Sequence, residues 1–460
     1  MGFIKHYFKG YHEPGGMKGL LVMALPMMVS TSCDAVMTFT DRFFLAKLGT
    51  EYMNAAMGGF VTYQTLIFFF MGLVGYSTAL VAQYYGADQK HQAPLVTTQG
   101  MLLSILAWPI ILLLKPLAVY AFSGVHLPEN QLVLQVEYLN ILVLGSMLTL
   151  FRQVLGCYFT GIGQAQVVMR ATLSALIVNV ALDYVLIFGK FGFPAMGIQG
   201  AALATVAGNA VSTFYFLGAY FKRKNLVAFQ VLKSFRINGN ILRRLIRYGY
   251  PAGVEMSLNF IAFFFITLMF QSQGPSESTA TSVMFSYDML SFIPLLGIEI
   301  ATTSLAGRYM GAETPDYAVR TAWSAAKLGL LYSVIVLIIF LSVPGLLVNV
   351  FEPRAFDEAF QQARPMAMTM IRLASLYVLA QAVMIALIGT LRGAGDTFYT
   401  MLVSVGGNWI FVPLQYVLLY KLHASIQMAW LGLILVYLVL CIIIYRRFIQ
   451  GKWKSLRIIN

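Results

Sequence analysis

The sequence predicts an all-α, polytopic membrane protein, with about twelve transmembrane helices in two pseudo-symmetric six-helix bundles. Three observations lead there. Hydrophobic residues make up 59% of the 460 and charged residues only 11%, against about 25% charged in soluble domains. Apolar stretches of the roughly 20 residues that a membrane span needs recur along the whole chain. The chain also repeats itself. Leu25-Pro26 and Tyr250-Pro251 each open a long apolar stretch, and Ser77-Thr78-Ala79-Leu80-Val81-Ala82-Gln83-Tyr84-Tyr85-Gly86-Ala87 is echoed by Thr302-Thr303-Ser304-Leu305-Ala306-Gly307-Arg308-Tyr309-Met310-Gly311-Ala312. Pro26 to Pro251 and Gly86 to Gly311 both span 225 positions, so two independent landmarks share one register. Strict apolar–polar alternation is absent, which argues against a membrane β-barrel.

Taken in order, the apolar segments fall at 18–47, 53–82, 95–122, 132–160, 165–189 and 197–221, then 248–272, 278–306, 318–350, 365–391, 398–420 and 425–446. Six make an N-lobe over 18–221 and six a C-lobe over 247–448, with a linker at 222–246 and a tail at 449–460. Residues 1–17 read either as an amphipathic interfacial segment, with Phe3, Ile4, Tyr7 and Phe8 beside Lys5 and Lys9, or as a frayed tail. Phe159-Thr160-Gly161-Ile162-Gly163-Gln164 resembles Leu391-Arg392-Gly393-Ala394-Gly395-Asp396 at a spacing of 232, and Ile198-Gln199-Gly200-Ala201 faintly echoes Ile426-Gln427-Met428-Ala429. Because each copy has an even number of helices, both share one orientation. The halves are then related by an axis along the membrane normal.

The net charge of +13 would suggest nucleic acid in a soluble protein. Its placement explains it otherwise. Lys222, Arg223, Lys224, Lys233, Arg236, Arg243, Arg244 and Arg247 lie in or beside the linker. Arg446, Arg447, Lys452, Lys454 and Arg457 crowd the C-terminus, and Lys5, Lys9 and Lys18 precede the first helix. An even helix count puts these three regions on one face, and excess Lys and Arg marks the cytoplasmic one. The expectation is a multi-pass protein of the bacterial inner membrane, both termini cytoplasmic, surrounded by lipid, monomeric, and without a nucleic-acid partner. Cys33, Cys157 and Cys441 lie in separate apolar segments and read as core thiols. No cleavable signal pattern is seen, since a polar stretch precedes a first span too long for a signal peptide's apolar region.

Ionisable groups inside a bilayer are costly and mark a cavity or a partner. Within the spans these are Asp34, Asp41, Glu137, Asp183, Glu255, Asp288 and Glu299. Asp34 and Asp41 are seven apart and share a helix face. Asn179 and Asp183, like Glu255 and Asn259, are four apart and do the same. Carboxylates with amide and hydroxyl oxygens suit a hard cation such as Na⁺, and a desolvated carboxylate can equally carry a proton. Simpler readings remain open. Asp41 could pair with its neighbour Arg42 at the membrane edge, Asp183 could bond another helix, and Asp34 reads either way. Glu137 and Glu299 read as structural. The abundant Met and Phe (24 and 34 residues) pack or face lipid, although a cavity lined by them would accept varied apolar ligands. No G-x-x-x-x-G-K-[ST] or H-E-x-x-H occurs, and no Ser/His/Asp grouping is evident, so neither an ATP motor nor a catalytic centre is expected.

The first helix carries Pro26 and, fifteen residues on, Asp41. The second and eighth end in the duplicated segment. The fifth reads Asn179-Val180-Ala181-Leu182-Asp183-Tyr184 and the sixth Gly197-Ile198-Gln199-Gly200-Ala201-Ala202-Leu203-Ala204-Thr205. The tenth ends Gly389-Thr390-Leu391-Arg392-Gly393-Ala394-Gly395-Asp396. In this order and spacing, these four features resemble the multidrug and toxic compound extrusion (MATE) family from about residue 18 to residue 446. The resemblance implies two bundles forming a V around a cavity of alternating access, with export of cationic or amphipathic drugs against Na⁺ or H⁺ and no other cofactor. It also implies an N-lobe cation site, for which Asp41, Asn179, Asp183 and Thr205 match the family's positions; Asp41, Asn179 and Asp183 would be the Na⁺ ligands. The C-lobe Na⁺ site of some members uses a seventh-helix Glu, with a Tyr and an Asp on the tenth helix. Here Phe260, Tyr377 and Gln381 stand there, so that site is not expected. Asp34, Glu255, Asn259, Tyr377 and Gln381 are expected to face substrate, with Glu255 recognising its positive charge. Two alternatives stand beside this reading: a flippase of lipid-linked saccharides from the same wider superfamily, which needs a strongly cationic cavity, for which Arg152, Arg170 and Arg372 leave room, and a membrane-embedded enzyme, for which no catalytic grouping was found.

Overall fold

A computed structural model describes residues 10–123, 129–352 and 358–459. The aromatic and basic residues that suggested an interfacial N-terminal segment lie outside the described residues. Among the described residues, twelve helices are long and apolar enough to cross a membrane. The first six are α1 (Met17–Ala46), α2 (Thr50–Gly75 and, after a break at Tyr76, Ser77–Gly86), α3 (Gln92–Ser123), α4 (Glu129–Gly161), α5 (Ala165–Phe188) and α6 (Gly197–Tyr220). The second six are α7 (Gly239–Gln271), α8 (Pro275–Gly311), α9 (Pro315–Ser342), α10 (Glu358–Ala394), α11 (Thr397–Tyr416, closed by a π turn Val417–Lys421) and α12 (Ile426–Gln450).

The segmentation follows residue chemistry. α5 stops at Gly189, whose left-handed φ of 65° an L side chain rarely adopts. α9 stops before Pro344, because the residue preceding proline is pushed out of the α region. The span expected over 318–350 is therefore a helix to Ser342 and a short one over Pro344–Asn349. The linker expected over 222–246 is also shorter and more ordered. It holds a short helix, Arg223–Phe229, and a 3₁₀ turn, Val231–Ser234, and α7 already begins at Gly239. Asn238 caps that helix, its Oδ1 accepting the Ile241 N–H at 3.1 Å, while its own N–H donates to Gln99 Oε1 of α3 at 3.1 Å.

Within the first half, α1 packs on α5, α2 on α4, α4 on α6 and α5 on α6. Within the second, α8 and α9 pack on α10, α7 on α11 and α10 on α12. One apolar cluster fills each half, around Ile67, Ile111 and Leu139 in the first and Phe270, Ile371 and Trp430 in the second. A third cluster crosses the halves, drawing Leu20, Leu80, Tyr158 and Phe159 together with Leu295 and Ile298. Lipid is as apolar as leucine, so helix association in a bilayer rests on close packing and small residues. The seam between the halves shows this. α1 lies on α8 and α2 on α7.

The contacts are reciprocal. Gly86 abuts the backbone of Arg308, and Gly311 abuts the backbone of Gln83. Gly72 abuts Ala252 and Gly253, and Gly297 abuts Met27 and Met28. Each contact maps onto its partner by the repeat's register of 225 positions. That is the signature of a pseudo-two-fold axis, where residue i meets j and the copy of j meets the copy of i. At these four glycines a β-carbon would strike backbone on the other half.

Polar ties reinforce the seam on the face carrying the termini. Gln83 Nε2 donates to the Gly393 carbonyl at 2.8 Å, and Ser304 Oγ to the Thr160 carbonyl at 2.7 Å. Arg308 stacks over Tyr85 at 4.9 Å, and Arg244 donates to Tyr84 Oη at 3.1 Å. Residues before α1 add to it: the Gly15 N–H donates to Tyr309 Oη at 2.7 Å, and Glu13 pairs with Arg320. Among the described residues, hydrogen bonds and ring contacts between the halves reach only to Thr31–Ile293 and Phe68–Phe260, near mid-span. Seam contacts of these kinds thus lie between the terminal face and mid-span.

Candidate functional site

The four residues expected to form the N-lobe site converge. α1 brings Asp41, buried at 6% exposure. α5 brings Asn179 and Asp183 on one face, both fully buried. α6 brings Thr205. Thr205 Oγ1 donates to Asp41 Oδ2 at 2.8 Å, and Asn179 Nδ2 donates to Asp41 Oδ1 at 3.3 Å. The Asp183 carboxylate adjoins that of Asp41. Local sequence makes the approach possible. Gly208 on α6 meets the Ala175 carbonyl and Asn179 Cβ, positions where a side chain would hold the helices apart. Two to three turns nearer the terminal face, Ser30 and Thr172 share a hydrogen bond of 2.8 Å that ties α1 to α5.

The hydrogen bonding is incomplete in one place. Both Asp183 oxygens and Asn179 Oδ1 are buried without a donor. Buried polar atoms are nearly always satisfied, so three orphans in one site need an explanation. All three are hard oxygen acceptors beside a second carboxylate. A proton shared between the acids, or a small hard cation, would satisfy them. The competing reading of Asp41 fails on geometry. Arg42 turns away and lies over the Phe60 ring at 5.4 Å. We expect Thr205→Val to keep the fold and slow gradient-driven transport about tenfold, because it removes from Asp41 one hydrogen bond to a charged acceptor, worth about 1.5 kcal/mol. Unchanged transport in reconstituted vesicles would remove Thr205 from the site.

The residues expected to face substrate are distributed differently. Asp34 does not stand alone: it forms an ion pair with Arg152 of α4, whose Nη1 also donates to Asn209 Oδ1 of α6 at 3.1 Å. Glu255 is buried and meets Arg392 Nη2 at 2.8 Å, while the other Arg392 nitrogen pairs with Glu299. Glu255, expected to recognise the positive charge of a substrate, here has a side chain of α10 supplying that charge. Asn259 Nδ2 donates to Ser404 Oγ of α11 at 2.8 Å. Tyr377 donates to Asp288 of α8. Gln381 is buried, its Oε1 without a donor.

Sequence reasoning thus missed Arg152, Arg392 and Asp288 as working partners. Arg392 stood inside a recognised motif, which was the available signal, but nothing local pointed it at Glu255. Glu255→Gln is expected to change the handling of cationic and neutral compounds alike, with a loss of thermal stability, since Glu299 alone is left to answer Arg392. A loss confined to cations in a paired transport assay would restore Glu255 as the recognition group.

Comparison with known proteins agrees with this architecture. The MatE family profile matches residues 26–185 and 251–417, one match in each half. The chain is 26% identical over 461 residues to "Probable multidrug resistance protein NorM" of Thermotoga maritima, covering 98% of this chain and 96% of that one. Among solved structures, a MOP superfamily transporter from Pyrococcus furiosus superposes with a TM-score of 0.86 at 21% identity, over 96% of this chain and 97% of that one. An outward-facing multidrug resistance MATE family transporter superposes with a TM-score of 0.84 at 21% identity, over 97% and 99%.

Proposed function

The chain belongs to the MatE family of membrane transporters, and on that premise we propose that it is a secondary active multidrug exporter. It exchanges cationic or amphipathic organic compounds for Na⁺ or H⁺, working as a monomer. The coupling cation binds at Asp41, Asn179, Asp183 and Thr205. The observation that carries this reading is the trio of orphaned oxygens beside Asp41. The basic linker and tail give the orientation, with both termini cytoplasmic in a bacterial inner membrane. The seam contacts then lie toward the cytoplasmic side, and the cleft opens outward.

Two unit negative charges about 4 Å apart repel by about 4 kcal/mol at an effective dielectric constant near 20. Loading a cation removes that repulsion. A two-state equilibrium biased by such an amount shifts by about a thousandfold. A ligand moves an equilibrium only through its different affinity for the two states, and here the difference is built into the carboxylate pair. With the acids loaded, α1 repacks on α5 and narrows the N-lobe side of the cleft, expelling substrate outward. Pro26 lies inside α1, where the missing N–H and the ring's clash leave a weak point about which the helix bends. Pro26→Ala should therefore bind substrate normally and release it more slowly. Release at the wild-type rate in stopped-flow fluorescence would remove the proline from the mechanism.

The flippase reading is less well supported. It needs a cleft of unpaired positive charge, yet of the three arginines that left room for it Arg152 is answered by Asp34, and Arg392 is held by Glu255 and Glu299. Uptake of a fluorescent organic cation into inverted vesicles under imposed Na⁺ or H⁺ gradients tests the proposal. Uptake should require one gradient and dissipate it. Gradient-independent uptake would overturn the exporter reading.

A further inference from the structure

The Arg152–Asp34 pair is used neither by the coupling site nor by the Arg392 cluster, and it differs from both in being open. The Asp34 side chain is 47% exposed and that of Arg152 18%, whereas the two acids held by Arg392 are only 4% and 11% exposed. Asp34 lies near the middle of α1. A half-exposed charge at that depth faces water in the cleft rather than lipid. The guanidinium is held from several helices. Besides Asp34 of α1 it reaches Asn209 of α6, whose Nδ2 donates to Thr149 Oγ1 at 3.2 Å, and Tyr63 of α2 donates to the same oxygen at 3.0 Å. Its fork is oriented before any ligand arrives.

We infer that Asp34 and Arg152 form a clasp for zwitterionic amphipathic compounds, the ligand's carboxylate meeting Arg152 and its ammonium meeting Asp34. A purely cationic ligand that takes Asp34 strips Arg152 of the one acid that pairs with it among the described residues, and a purely anionic one strands Asp34. Unpaired charges in a partly desolvated site are costly. A ligand carrying both signs exchanges partners and leaves neither unpaired. The inference names a substrate class for the proposed exporter and rests on that reading.

The test uses the full-length protein in nanodiscs and two probes, a zwitterionic rhodamine with a free carboxylate and its cationic methyl ester. Arg152→Gln should weaken the zwitterion by about tenfold or more and leave the ester as tightly bound or tighter, because Asp34 is freed. Asp34→Asn should weaken the ester most. That opposite ranking is not what a merely structural pair would give. Arg152→Lys, which keeps the charge and loses the fork, should weaken the zwitterion alone, and it serves where the glutamine variant fails to fold. Equal losses for both probes, or no loss for either, overturns the clasp. If wild-type protein binds both probes but no gradient drives either, the exporter reading fails while the binding pattern still decides the clasp.

Discussion

Asp41→Asn and Asp183→Asn each reduce gradient-driven efflux to the level of protein-free vesicles, while expression and thermal stability stay near wild type. The reason is specific to the pair. Both side chains are buried, and they adjoin each other. An amide at either position is permanently neutral, so the repulsion that cation loading relieves is gone in every state. The energy difference that couples the ion to the helix movement vanishes with it. Substrate binding from the open side should persist. Steady-state efflux under both Na⁺ and H⁺ gradients, set beside equilibrium binding of the same compound, separates the two effects. Full transport by either variant would end the assignment of this site to coupling.

Gly86→Ala combined with Gly311→Ala opens the seam on the terminal face. Each new methyl would press on backbone of the opposite half, at Arg308 and Gln83 respectively. Backbone cannot rotate away as a side chain can. Overpacking typically costs about 1–3 kcal/mol per site, enough to depopulate the seam-closed state by about 5- to 150-fold for each substitution. Neither lobe's own packing is touched. The double variant should fold, lose most of its transport, and expose a single-cysteine reporter at Ala79, which is buried in the seam, to a membrane-impermeant reagent. Wild-type transport with Ala79→Cys still protected would show that the seam tolerates the methyls.

Much of the fold was legible because hydropathy and glycine act locally. The spans expected at 165–189 and 197–221 are helices Ala165–Phe188 and Gly197–Tyr220. The expectation slipped where a helix leaves the apolar layer. α7 begins at Gly239 instead of 248, since Arg243, Arg244 and Arg247 look like loop by composition, while Ile241 and Leu245 bury the opposite face. The repeat predicted symmetric halves, and the reciprocal glycine contacts bear its register out. The N-lobe site could be read because Asn179 and Asp183 sit one turn apart, and because the family pattern linked that turn to Asp41 and Thr205. The pairs Asp34–Arg152, Asp288–Tyr377 and Glu255–Arg392 could not. Each joins helices far apart in the chain, and no periodicity in a single helix names the partner on another.

On the proposed mechanism, cation loading of Asp41 and Asp183 moves α1 against α5. Spin labels on the two helices, read as distance distributions in liposomes that are demonstrably transporting, test it most directly. The account predicts that the distance shifts on acidification from about pH 9 to about pH 5, or on addition of Na⁺, and that Asp41→Asn removes the shift. Identical distances under all of these conditions during active transport would contradict it.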